Sequence, residues 1–132
     1  MTATNGRILC IDNHASRNLA VLLLERAHYE VATAGSLRKA VELARGAHFD
    51  LFLLNHQLAE DAGPEACDEL SGVAPQTPVL PYSTVTYPFR DRPPVRCGTR
   101  ASPLQPVDVS EVVGSVTRVL KGVNAPRGLT GL

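Results

Sequence analysis

Phe49-Asp50-Leu51-Phe52-Leu53-Leu54-Asn55-His56 is the stretch on which the reading of this chain turns. The apolar run Leu51 to Leu54, bounded by polar residues, fits a strand buried on both faces, as the middle of a parallel sheet covered by helices requires. Asn55 then ends a central strand. In an open α/β sheet, ligands and chemistry collect at the carboxyl ends of the strands, so what an amide can do at that position bears directly on function.

Upstream, Arg7 to Ile11 is a second apolar run that breaks into the polar stretch Asp12-Asn13-His14-Ala15-Ser16, which reads as a strand followed by a loop. Ala15, Leu19, Leu22, Leu23 and Arg26 recur at helical spacing, with Ser16 available as N-cap, so a helix is expected to run to about Ala27. Tyr29 to Thr33 alternates and is rich in β-branched residues, which predicts the second strand. Ser36 is placed to cap the next helix, with Leu37, Ala40, Val41 and Ala44 on its inner face.

Downstream of Asn55, a loop is expected through Asp61-Ala62-Gly63, with Pro64 suited to the first turn of a helix from Glu65 to about Gly72. Thr77 to Ser83 reads as the fourth strand, although Pro78 and Pro81 each remove a ladder donor. Pro88, Pro93 and Pro94 interrupt the span from Tyr87 to Gly98, and an interior proline costs a helix about 3 kcal/mol. The helix due between the fourth and fifth strands is therefore expected to be short or missing. Ala101 to Leu104 is expected as an edge strand. Asp108 and Glu111 form a capping-box pattern, and Val109, Val112, Val113, Val116 and Leu120 line the last helix.

Alternating strands and helices in this order predict a three-layer, doubly wound α/β fold, because each right-handed crossover lays its helix on a face of the sheet. The expected architecture is flavodoxin-like, a five-stranded parallel sheet of order 2-1-3-4-5. The 132 residues suffice for one core, expected over residues 1–121, with a flexible Gly/Pro-containing tail over 122–132. Lysine and arginine balance aspartate and glutamate at 13 each, so no overall field draws the protein to nucleic acid or to an anionic membrane. The three cysteines, Cys10, Cys67 and Cys97, are odd in number and widely spaced, which argues against a disulfide framework or a zinc site and fits a reducing, cytoplasmic setting. No apolar run approaches the roughly 18 residues needed to cross a bilayer.

From about Arg7 to Leu120 the chain resembles the receiver domain of two-component response regulators. The resemblance is carried by Ile8-Leu9-Cys10-Ile11-Asp12-Asn13, by Phe49 to Asn55, by Thr77-Pro78-Val79-Leu80 and by Leu104-Gln105-Pro106. Gly98 falls where the family's Ala-Gly element usually lies. The resemblance implies self-catalysed phosphorylation on an aspartate ending the third strand. It also implies an acidic pair holding magnesium, a Ser or Thr after the fourth strand, and a Lys before a proline after the fifth.

Carried over by position, the acidic pair is Asp12-Asn13, the phosphoacceptor is Asn55, the hydroxyl is Ser83 and the lysine is Gln105. Ser102 stands where the family usually has an aromatic. An amide is a poor nucleophile and forms no acyl phosphate, and magnesium prefers anionic oxygens. Phosphorylation at Asn55 is therefore not expected, magnesium is expected to bind weakly or not at all, and no other cofactor is expected. Without a lysine at position 105, the cation that would neutralise a phosphoryl oxygen is missing as well.

The resemblance therefore implies a degenerate receiver that acts in phosphorelay signalling through protein contacts. Asn55 either only packs or hydrogen-bonds Ser83 or Gln105, and Asp12 either caps the first helix or remains as the pocket's carboxylate. Arg90, Arg92, Arg96 and Arg100 form either a solvated loop or a contact surface for a signalling protein. Without a recognition helix or interleaved aromatics, nucleic acid is not expected. The protein is expected to be a monomer or weak homodimer. The alternative is a small enzyme using Asp12, His14 or His56 as acid or base, with turnover abolished by Asp12→Ala. No metal site is expected of those residues, and both histidines are expected in solvated loops.

Overall fold

A computed structural model describes residues 4–15, 17–83 and 107–124 of the chain. Strands β1 (Arg7–Ile11), β2 (Glu30–Ala34), β3 (Leu51–Asn55), β4 (Val79–Ser83) and β5 (Val107–Asp108) form one parallel sheet of order β2-β1-β3-β4-β5. The predicted three-layer α/β architecture is therefore present. β3 is buried at every position, as its unbroken apolar run requires of a strand covered on both faces.

Alternation along the strands builds a separate core on each face. Leu9, Ile11, Phe52 and Leu54 meet α2 (Leu37–Gly46), α3 (His56–Ala62) and α4 (Pro64–Val73). Ile8, Cys10, Leu51, Leu53 and Tyr82 meet α1 (Arg17–Arg26) and α5 (Val112–Asn124), where Ala20, Leu24, Val112 and Val116 are buried. Ser36 caps α2, its hydroxyl oxygen accepting the Lys39 N–H at 3.1 Å. Ser36→Ala is expected to destabilise the domain by about 1 kcal/mol, read as a lower urea midpoint with an unchanged slope.

Three segments differ from expectation. Helix α1 buries Ala20 and Leu24, whereas Leu19 and Leu22, which belong to the helical repeat read from the sequence, are 45% and 50% exposed. The run Val21-Leu22-Leu23-Leu24 is apolar on more than one side, so spacing does not settle its rotation; packing against β1 and α5 does. Residues 56–62, expected as a loop, form α3, in which Gln57 donates to Asp61 at 3.2 Å one turn on. Gly63, at φ +85°, separates α3 from α4 and donates its N–H to Ala59, a conformation costly for a side chain with a Cβ.

The third difference is at the sheet edge. Among the described residues the fifth strand is Val107–Asp108, whereas the expected strand Ala101 to Leu104 lies outside them. Pro81 sits within β4 opposite Leu54, so the strand accommodates the missing donor. The Asp108 capping box forms, with Glu111 reaching back to the Asp108 N–H, and opens a short 3-10 turn before α5. Helix α5 runs past Lys121 to Asn124, beyond the expected domain limit. The segment from Tyr87 to Gly98, where a short or absent helix is expected, lies outside the described residues.

Candidate functional site

The carboxyl edge of the sheet gathers Asp12, Asn55, Tyr82 and Ser83. Asn55 pairs with Tyr82 across β3 and β4, and Asp12 lies one step beyond the Ile11–Leu54 pair, beside Asn55. All four are buried, Asp12 completely and Asn55 to 3% exposure, whereas Asn13 is exposed. Ser83 pairs in register with Asp108 of β5. Gln105, together with Arg90, Arg92, Arg96 and Arg100, lies outside the described residues.

Asn55 ends β3 and is also the N-cap of α3. Its Oδ1 accepts the Leu58 N–H at 3.1 Å, satisfying one of the donors that every helix start leaves unpaired. The amide oxygen thus serves the turn immediately after the strand. Asn55 is expected from the sequence either only to pack or to hydrogen-bond Ser83 or Gln105, and Gln105 lies outside the described residues. The cap follows from the helical conformation of residues 56–62, which was not anticipated.

Asp12 is held by its neighbours. Its Oδ1 accepts the His14 N–H at 2.9 Å, with His14 Nδ1 at 3.3 Å, and its Oδ2 accepts the hydroxyl of Tyr82. The bond to His14 holds the turn after β1 and does not reach α1, so Asp12 is not the cap of the first helix but a buried carboxylate at the sheet edge. The Tyr82 hydroxyl also lies 3.7 Å from the Cys10 thiol. Burial pushes the Cys10 thiol up to about 11, and burial followed by the charge of Cys10 drives the Tyr82 phenol far above its ordinary range. Both groups stay protonated at neutral pH, which suits a chain of donors ending on the carboxylate.

Tyr82 was not among the residues singled out from the sequence. A signal for it was present: a buried tyrosine needs a partner for its hydroxyl, and Tyr82 is one residue from the expected end of its strand. The histidines also fall differently from expectation. His14 is half-exposed beside Asp12, but His56 opens α3 at 4% exposure, with Nε2 3.6 Å from Glu60 Oε1. It is a buried helix residue, not a solvated loop histidine. Among the described residues no cluster of three His, Cys, Asp or Glu side chains is arranged to hold a metal.

The family profile described as "Response regulator receiver domain" matches residues 8–89, and the chain belongs to that family. Its fold is that of several solved receivers. A CheY-like receiver domain protein from Methanospirillum hungatei JF-1 is 20% identical, with a TM-score of 0.67 over 89% of this chain and 95% of that one. The chemotaxis response regulator CheY4 of Vibrio cholerae is 24% identical, with a TM-score of 0.64 over 89% and 99% of the two chains. The receiver domain of a signal transduction histidine kinase from Syntrophus aciditrophicus is 22% identical, with a TM-score of 0.65 over 92% and 94%. Among curated proteins none matches. The chain is thus a receiver domain of two-component signalling. No described helix is long and apolar enough to cross a membrane.

Magnesium, the ion this family implies, fits the residues poorly. It demands near-octahedral oxygen ligands and dehydrates reluctantly. Here Asp12 has hydrogen bonds on both oxygens, the Asn55 oxygen caps α3, and Asn13 is a neutral, exposed amide.

Proposed function

We propose that this domain is a degenerate receiver that signals through protein contacts without a phosphorylated state. The observation that carries the reading is Asn55: at the end of the central strand, where the family's acceptor carboxylate belongs, stands a buried amide whose oxygen caps α3. An amide yields no acyl phosphate, and its neutrality also removes a ligand charge for the cation. Input then comes from the protein's abundance or from binding of a ligand or partner. Arg90, Arg92, Arg96 and Arg100 are our candidates for the contact with that partner, a protein of the same signalling pathway in the cytoplasm. The domain acts as a monomer or weak homodimer.

Incubation of the intact protein with acetyl phosphate and magnesium tests this directly. The mass is expected to stay unchanged under conditions in which an active receiver is labelled. A stable gain of one phosphoryl group mapping to this sheet edge would overturn the proposal.

A further inference from the structure

Tyr82 crosses the site from the far side. Asp12, Asn55 and Tyr82 stand in one lateral row on three adjacent strands, and two strand spacings span about 10 Å. The ring covers that gap over β3 within the core shared by α1 and α5, and delivers its hydroxyl to Asp12 Oδ2. A phenylalanine would fill the same apolar space, so the hydroxyl matters only to its polar neighbours, Asp12 and Cys10. A buried carboxylate must be compensated by donors or by a cation. Here the donors come from within the chain.

We propose that Tyr82 is a built-in occupant of this pocket. Its hydroxyl takes the face of Asp12 that a divalent cation would otherwise take, and its ring ties the ends of β4 and β1 in one arrangement. Tyr82 is thus a positioning residue that excludes the cation and holds the domain in a single state. The inference deepens the reading of a phosphorylation-independent receiver and rests on it for its signalling meaning.

The experiment uses the full chain, with manganese(II) as the probe, and compares wild type with Tyr82→Phe and with Asp12→Asn/Tyr82→Phe. The phenylalanine keeps the ring, so the fold is expected to survive with a melting temperature lower by roughly 3–6 °C through loss of one hydrogen bond to a charged group. Millimolar manganese is expected to restore at least half of that loss in Tyr82→Phe while leaving wild type within about 1 °C, because linkage stabilises only a state that binds the ion. The double variant, which lacks the carboxylate charge, is expected to show no manganese response. Direct titration followed by the manganese paramagnetic resonance signal provides a second readout, with binding at least tenfold tighter in Tyr82→Phe than in wild type.

Equal manganese affinity in wild type and Tyr82→Phe, or a Tyr82→Phe protein as stable as wild type, would overturn the role assigned to Tyr82 and leave the phosphorylation-independent reading standing. Phosphorylation of the wild-type pocket would overturn that reading, whatever the manganese result.

Discussion

Asn55→Asp is expected to destabilise the metal-free domain by about 3 kcal/mol, the scale on which an uncompensated buried charge acts. Aspartate caps a helix as well as asparagine does, so the bond to the Leu58 N–H is retained and the substitution isolates charge. The new carboxylate would lie about one strand spacing, roughly 5 Å, from Asp12, in a site closed to solvent. The start of α3 offsets only about 0.3–1 kcal/mol of this repulsion. The measurement is urea unfolding in chelator, with a fall in melting temperature of roughly 10 °C as a second readout. An Asn55→Asp variant as stable as wild type would mean that the pocket accepts a second charge, and the physical case for a neutral amide there would fail.

Alkaline pH is the second strong lever. Burial raises the Cys10 thiol from 9.0 to about 11 in the folded protein, so the folded state holds its proton where the unfolded chain releases it. The sign follows: the stabilisation is complete below pH 9 and is lost as pH rises through about 11. A shift of this size corresponds to stabilisation on the order of 3 kcal/mol. The phenol of Tyr82, raised by burial and by its thiol neighbour, acts in the same direction at higher pH. Unfolding free energies measured between pH 8 and pH 11 should decline across this window, and Cys10→Ala should flatten the slope whatever it does to the stability at pH 8. A slope that Cys10→Ala leaves intact would show that the thiol is not the group responsible.

The succession of strands and helices could be read from the chain because each element rests on local information. Uninterrupted apolar runs at Ile8 to Ile11 and Leu51 to Leu54 mark strands covered on both faces, and the periodicity of Leu37, Ala40 and Val41 marks the helix packed beside them. Ser36 and the Asp108–Glu111 pair announce helix starts by chemistry that operates within four residues. That Asn55 ends the central strand is legible for the same reason.

Packing settled what local spacing left open. The rotation of α1 depends on which side of an apolar run meets β1 and α5, and Ala20 and Leu24 took the inner face while Leu19 and Leu22 stayed in water. Residues 56–62 were expected as a loop, but with Asn55 supplying the cap and Gly63 the left-handed exit they close into a helix. The hydrogen bond from Tyr82 to Asp12 joins residues 70 positions apart. Neither residue carries a local signal of the other, because a side chain's partner across two strands is set by sheet order and register and by the shared need of two buried polar groups to be satisfied.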